Sequence, residues 1–135
     1  MSAASFAESS ATTPSSDAPL LVVNNLKTYF KTDRGLVRAV DGVSFTLERG
    51  RTLGVVGESG SGKTVLARSI MGLLPKRDVE RSGSVKFEGV ELVGADNSLM
   101  AQYWGDQMAM VFQDPMTSLN PVMRIGKQIT EGLRQ

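Results

Sequence analysis

The sequence predicts an α/β fold, in which parallel strands and helices combine with a set of antiparallel strands. Two nearly continuous apolar runs, residues 52–56 and 108–112, have the composition of parallel strands that are buried on both faces. After the first run, apolar residues recur on one helical face, at Leu66, Ile70, Leu73 and Leu74. Earlier in the chain, apolar and polar residues alternate as in half-buried antiparallel strands, at Val43, Phe45 and Leu47.

The first fifty residues predict a leader followed by strands. Residues 1–19 are rich in Ser, Ala, Thr and Pro and offer little to bury, so we expect a disordered leader. A strand opens at residues 20–23 and continues towards Tyr29. The polar residues 31–35 predict a turn before the alternating strands, and residues 48–50 predict a turn into the first apolar run.

The rest of the chain predicts two further helices and one more exposed strand. Pro75 should end the helix that follows the first apolar run, after Gly72 weakens its last turn. Residues 83–89 alternate like an exposed strand. A short helix should follow, with Asp96 or Asn97 as its cap. A last helical pattern repeats at every fourth position, at Ile125, Ile129 and Leu133.

The composition excludes several kinds of chemistry. The chain has 135 residues, of which 41% are apolar and 21% charged, and its formal net charge of +1 argues against a dedicated electrostatic nucleic-acid binder. It contains no cysteine and no histidine, so this chain has no disulfide, no thiolate or imidazole metal ligand and no histidine catalyst. No apolar run approaches the roughly 20 residues of a transmembrane helix. No signal peptide is visible at the N-terminus, which predicts a cytosolic protein.

A glycine-rich motif between the first apolar run and the predicted helix carries the chemistry. Residues 57–64, Gly-Glu-Ser-Gly-Ser-Gly-Lys-Thr, fit the P-loop pattern G-x-x-x-x-G-K-[ST]. Glycines let the backbone turn its N–H groups towards an anion at a helix N-terminus. Lys63 would bring a cation to the β- and γ-phosphates, and Thr64 a hydroxyl to Mg²⁺. The alternative is a glycine-rich turn without a ligand, which would require glycines, lysine, threonine and both flanking elements to coincide by chance.

A second motif indicates which class of P-loop protein this is. A P-loop alone does not, because kinases, GTPases, helicases and transport ATPases all share it. Gln113 ends the second apolar run, 50 positions after Lys63. Residues 111–121, Val-Phe-Gln-Asp-Pro-Met-Thr-Ser-Leu-Asn-Pro, resemble the Q-loop of ATP-binding-cassette (ABC) ATPases. This run, residues 39–45 and the "GESGSGKT" loop look like the branch that serves oligopeptide, dipeptide and nickel importers. The resemblance covers about residues 20–135, which form the expected domain.

The resemblance implies roles for individual residues around ATP and Mg²⁺. Gln113 would reach Mg²⁺ and the attacking water and would link the nucleotide site to the membrane subunits. Tyr29 matches the aromatic position that stacks on adenine, with the neighbouring Phe30 as the alternative. Lys63 would also act in catalysis, and Thr64 would share Mg²⁺ with Gln113. The expected nucleotide-binding set is Tyr29, Gly57, Ser59, Gly60, Ser61, Gly62, Lys63, Thr64 and Val65, with the Ser59 hydroxyl near the γ-phosphate.

The resemblance also implies an assembly. A P-loop NTPase fold with an antiparallel β subdomain and the start of a helical subdomain is expected, as the N-terminal part of a nucleotide-binding domain. The signature segment, the Walker B strand and the switch histidine of the family are missing, so the chain looks like a fragment that would not hydrolyse ATP alone. Expected partners are a second ATPase subunit and transmembrane permease subunits, at the cytoplasmic face of the inner membrane.

Two other classes of protein are alternatives to this reading. A P-loop kinase or GTPase would show a phosphate-acceptor site or a guanine-reading "NKxD" segment, and no NKxD segment is present. An ABC ATPase that acts on nucleic acid would show a basic groove-lining stretch or long heptad segments, and neither is visible. The sequence therefore favours an importer ATPase without direct nucleic-acid contact.

Overall fold

A computed structural model of the chain describes residues 18–113 and 119–131. The predicted leader lies, except for its last two residues, outside this range. The structure divides into two units, the first ending at Gly94 and the second beginning at Ala95. The elements in chain order are β1 (Leu21–Thr32), β2 (Gly35–Leu47), α1 (Lys63–Ile70), β3 (Val79–Phe87), β4 (Val90–Glu91), α2 (Asn97–Ala101) and α3 (Ile125–Glu131).

The first unit is built on a four-stranded antiparallel sheet with the order β2-β1-β3-β4. This arrangement confirms the antiparallel strands that the alternating residues predict. The buried apolar residues of this unit come from β1, β2, β3 and α1 and from the position just after β4: Val23, Leu26, Val40, Leu66, Val85, Phe87 and Leu92. α1 packs on β1 and β2, so the sheet carries the helix that follows the glycine-rich loop.

A line of left-handed residues crosses three strands of the sheet. Asn25 in β1 has φ 48, Gly42 in β2 has φ 77 and Gly83 in β3 has φ 94. The strand register shifts here, between Asn24 and Lys27. A Cβ on Gly83 would lie 2.4 Å from the Asn25 carbonyl oxygen, so the close approach of these strands requires glycine. We call Asn25, Gly42 and Gly83 the crease.

The two predicted parallel strands are not formed, and this part of the prediction is wrong for the described residues. Residues 52–56 have no regular structure, and Val56 is 94% exposed. Residues 108–112 likewise form no strand, Val111 is 96% exposed, and Met108 makes only an isolated bridge to Trp104. A parallel strand needs neighbouring strands and covering helices, and the described part of the chain supplies neither to these runs.

The helices follow their predicted patterns with shorter bounds. α1 ends at Ile70, before Pro75, because Gly72 turns the chain with φ 67. Asp96 is the N-cap of α2 and accepts a hydrogen bond from the Leu99 N–H, as predicted. α3 forms where the fourfold repeat predicts it, and Leu133 lies outside the described residues. Among the helices that the structure describes, none has the length and hydropathy that crossing a membrane requires.

The β3–β4 hairpin is held by one carboxylate, which leads to a prediction about acid stability. Glu91 accepts hydrogen bonds from the Ser84 hydroxyl and from the N–H groups of Val85 and Val93. Desolvation acts to raise the pKa of Glu91, but these hydrogen bonds outweigh it and lower the pKa below the ordinary 4.5. The folded form therefore binds this proton less well than the unfolded form. Stability from Glu91 is present above pH 4.5 and is lost as the pH falls through the lower folded pKa.

We expect Glu91→Gln to flatten the loss of stability in acid. Urea unfolding of the parent, measured at a series of pH values from neutral down to below 4.5, should show a falling free energy of unfolding. The variant should show a smaller fall, because its side chain does not titrate. Glu48→Gln, at an exposed turn position, is the matched control and should follow the parent. An identical pH dependence in the parent and in Glu91→Gln would contradict this account.

Candidate functional site

The glycine-rich loop folds into a tight turn that opens directly into α1. Gly60 and Gly62 both have left-handed backbones, with φ 81 and φ 91, which residues other than glycine rarely adopt. Inside the turn the Ser61 N–H donates to the Glu58 carbonyl oxygen at 3.2 Å. Gly62 is the N-cap of α1, and its carbonyl accepts the first helical hydrogen bond from the Leu66 N–H at 2.8 Å. The loop therefore makes the tight turn into a helix that its glycines predict.

Gly62 also touches the sheet. A Cβ built on Gly62 would lie 2.3 Å from the Ala39 carbonyl oxygen. Ala39 is the extra residue of a bulge in β2, since Thr28 pairs with Val40 and Tyr29 with Arg38. The bulge thus turns a β2 carbonyl towards the loop, and only a residue without a side chain fits between them. This contact joins the glycine-rich loop to the antiparallel sheet.

Lys63 carries the positive charge of the loop. Its ammonium donates to the carbonyl oxygens of Gly57 at 2.7 Å and Glu58 at 2.6 Å, and to the Ser61 hydroxyl at 3.3 Å. A second close contact supports the same turn, because a Cβ on Gly57 would meet the Ser61 oxygen at 2.6 Å. The ammonium therefore lies within the loop, next to the first turn of α1.

The loop residues fit a polyphosphate. The N–H groups of Lys63, Thr64 and Val65 lie in the first turn of α1, where a helix offers them no internal partner. The first turn contains no acidic residue that would repel an anion. Around Gly60 the space is open, since a Cβ there would meet nothing within 4 Å. The loop and the first turn of α1 thus offer backbone donors, a cation and open space at Gly60.

The oxygen donors for a divalent cation are few. Thr64 is exposed in the first turn of α1 and offers a hydroxyl, as do the exposed Ser59 and Ser61 in the loop. Throughout the described ranges, no group of three or more His, Cys, Asp or Glu residues could hold a metal ion. This donor set fits Mg²⁺, which usually keeps several waters and binds through few protein oxygens together with substrate phosphates.

Tyr29 lies on the face of β1 opposite α1. Its neighbour Thr28 hydrogen-bonds to Ser69 of α1, and strand side chains alternate between faces. The Tyr29 hydroxyl donates to Asp41 at 2.6 Å, and the Arg38 guanidinium lies 5.6 Å from the ring centre. The hydrogen bond to Asp41 raises the pKa of Tyr29. By the same alternation Phe30, the alternative aromatic residue, shares the face of Thr28.

Gln113 belongs to the second unit, and its predicted proximity to the loop stays a prediction. Gln113 is exposed and is the last residue of the first described range, residues 18–113. Sequence reasoning missed the residues that hold α1 on the sheet: Thr28, Ala39, Ser69 and Arg81. Thr28 carried no clear sequence signal, because its inward position depends on the irregularity of β1 around Asn25.

Comparison with known proteins places the chain in a family. Residues 40–133 match the family model described as ABC transporter. The chain is similar to the oligopeptide transport ATP-binding protein OppD of Haemophilus influenzae, with 53% identity over 116 residues, which are 86% of this chain and 36% of that protein. OppD of Bacillus subtilis is 50% identical over 115 residues, 84% of this chain and 32% of that protein. The dipeptide transport ATP-binding protein DppD of Lactococcus lactis is 47% identical over 114 residues, 84% of this chain and 33% of that protein. The chain spans about a third of the length of these relatives.

Proposed function

The chain belongs to the ABC transporter family, and we propose that it is the phosphate-binding part of an ATP-binding subunit that energises peptide uptake. The observation that carries the proposal is the Lys63 ammonium, held 2.7 Å from the Gly57 carbonyl oxygen at the start of a glycine-capped helix. The names of the similar proteins, which denote oligopeptide and dipeptide transport, support the peptide substrate.

The loop would bind Mg·ATP through donors that are already oriented. The N–H groups of the first α1 turn would donate to phosphate oxygens, and Lys63 would give its charge to the β- and γ-phosphates. Thr64 would offer its hydroxyl to Mg²⁺. Bound ATP supplies a phosphoryl group that can pass to water, and these residues position it and stabilise its charge.

Further parts of the proposal concern residues and partners beyond the loop. Gln113 would orient the attacking water and complete the Mg²⁺ site. The partners would be a second ATP-binding subunit, which closes the nucleotide site from the other side, and permease subunits in the membrane. The subunit would be peripheral to the membrane at its cytoplasmic face. The names of the relatives, as ATP-binding proteins of transport systems, support this arrangement.

Competition between phosphate ligands tests the proposal. Fluorescent ATP with Mg²⁺ should bind to the chain, and inorganic tripolyphosphate should displace it, because most donors face the phosphates. AMP should compete poorly, since it lacks the β- and γ-phosphates. Displacement by AMP and not by tripolyphosphate would contradict a phosphate-gripping loop.

The aromatic residues of β1 provide a test of base recognition. Phe30 lies on the same face of β1 as Thr28, which is the face on which α1 packs. This placement supports Phe30, one position after Tyr29, as the residue that stacks on the base. We expect Phe30→Ala to weaken Mg·ATP binding by about 1–3 kcal/mol, as in other base–aromatic stacks. Tyr29→Ala is the matched variant and should bind like the parent. Both variants should bind tripolyphosphate equally well. If Tyr29→Ala loses affinity for ATP while Phe30→Ala keeps it, Tyr29 is the stacking residue.

A further inference from the structure

The end of α1 that lies away from the loop is held by a buried pair of hydroxyls. Thr28 and Ser69 are both fully buried, and their hydroxyl oxygens lie 2.8 Å apart. The Ser69 hydroxyl donates its only proton to the Val65 carbonyl oxygen at 2.7 Å. Thr28 must therefore be the donor to Ser69. The pair ties the last turn of α1 to the centre of the sheet.

Arg81 holds the same residue through its backbone. One guanidinium nitrogen donates to the Ser69 carbonyl oxygen at 2.7 Å, and the other donates to the Leu92 carbonyl oxygen at 3.0 Å. Arg81 pairs across the strands with Thr28. The two members of one cross-strand pair thus bind the hydroxyl and the carbonyl of Ser69.

The position of Arg81 suits a helix end. The last carbonyls of a helix lack internal partners and carry partial negative charge, which a cation stabilises. Desolvation lowers the pKa of Arg81, and the Glu91 carboxylate opposes this effect. Arginine can bond two carbonyls at fixed angles, whereas the lysine ammonium is a point charge on a flexible stem. Arg81 therefore fixes the helix end against the chain that follows β4.

We propose that Arg81 is a positioning residue for the glycine-rich loop. α1 has eight residues, so it is a rod of roughly 12 Å whose two ends move together. One end is fixed by Arg81 and Thr28 through Ser69, and the other by the contact of Gly62 with Ala39. The orientation of α1 then determines where Lys63 and the first-turn N–H groups lie. This inference rests on the proposed function for its effect on ATP, but not for its effect on the loop.

The test compares three variants of the 135-residue chain. Arg81→Met removes both donors and keeps the aliphatic stem. Arg81→Lys keeps the charge but loses the pair of guanidinium nitrogens that donate to two carbonyl oxygens. Arg77→Met is the matched control, because Arg77 is 94% exposed and forms its ion pair with the adjacent Asp78. Far-UV circular dichroism, recorded well below the thermal midpoint of each variant, identifies the folded proteins.

Two readouts separate positioning from stability. The amide NMR resonances of Gly62 and Lys63 report the loop, at the other end of α1 from Arg81. The dissociation constant for Mg·ATP, measured on folded protein, reports the site. We expect Arg81→Met to shift both amide resonances and to weaken Mg·ATP binding about tenfold, the lower end of what loss of an orienting partner costs at metal sites. Arg81→Lys should fall between the parent and Arg81→Met, and Arg77→Met should match the parent.

The possible results are distinct. A folded Arg81→Met with parental amide resonances and parental affinity overturns the proposal. If Arg81→Met does not fold, Arg81→Lys decides in the same way, and failure of both to fold assigns Arg81 to stability alone and also overturns it. If the parent itself does not bind Mg·ATP, the proposed function fails, whereas the amide resonances still decide whether Arg81 positions the loop.

Discussion

Lys63→Ala is expected to weaken Mg·ATP binding by about 100-fold, because charge-assisted hydrogen bonds contribute roughly 1.5–3 kcal/mol each. The phosphates would lose their main cation in the loop. The loop itself would also lose three hydrogen bonds, to Gly57, Glu58 and Ser61. Titration with fluorescent ATP measures the effect, with circular dichroism to verify folding.

Two companion variants separate charge from loop order. Lys63→Gln can still donate to a loop carbonyl but has no charge, so we expect an affinity close to that of Lys63→Ala. Lys76→Ala removes an exposed lysine from the connector after α1 and should leave the affinity unchanged. Parental affinity in a folded Lys63→Ala protein would remove Lys63 from the site, and parental affinity in Lys63→Gln would make its role one of loop order.

Gly62→Ala is expected to abolish measurable Mg·ATP binding and to destabilise the chain by about 2 kcal/mol or more. The new Cβ would lie 2.3 Å from the backbone oxygen of Ala39, which cannot rotate away. The left-handed backbone at φ 91 adds strain for any residue with a Cβ. The loop and β2 must therefore separate. Urea unfolding and nucleotide titration measure the two effects.

Gly60→Ala is the matched control for that variant. Gly60 is also left-handed, with φ 81, but a Cβ there meets nothing within 4 Å. Gly60→Ala should lower the free energy of unfolding by only about 1 kcal/mol, because a residue with a Cβ is strained in a left-handed backbone. We expect a moderate loss of affinity for Mg·ATP. If the two alanine variants lose the same stability and the same affinity, the contact of Gly62 with Ala39 has no role of its own.

Local signals predicted much of what the structure contains. The alternation at Val43, Phe45 and Leu47 identified β2, and Asp96 identified the start of α2, because both depend on neighbours in sequence. The glycine pattern likewise predicted the turn that opens α1. The strand predicted at residues 52–56 is wrong, because a buried strand depends on partners that lie elsewhere in a fold and not on the local apolar run alone.

The sequence also does not show which of the two aromatic residues of β1, Tyr29 or Phe30, faces inward. Strict alternation from the buried Val23 would turn Tyr29 inward. The extra residue around Asn25 shifts the pattern, so that Leu26 and Thr28 are buried instead. A bulge inserts one residue without a clear sequence signal, and asparagine is only one of the residues that tolerate a left-handed backbone. The sequence alone therefore does not determine which of Tyr29 and Phe30 faces α1.

At the crease formed by Asn25, Gly42 and Gly83, one extra residue in β1 changes which positions face inward, from odd-numbered to even-numbered residues. Upstream of it the odd-numbered Val23 is buried, and downstream the even-numbered Leu26 and Thr28 are buried. If Asn25 occupied an ordinary strand position instead of a bulge, every residue from Leu26 onwards would exchange faces. Thr28 would then turn away from Ser69, and Tyr29 would turn towards α1. The extra residue at this point of β1 is therefore what places Val23 and Leu26, three positions apart, on the same face of the sheet.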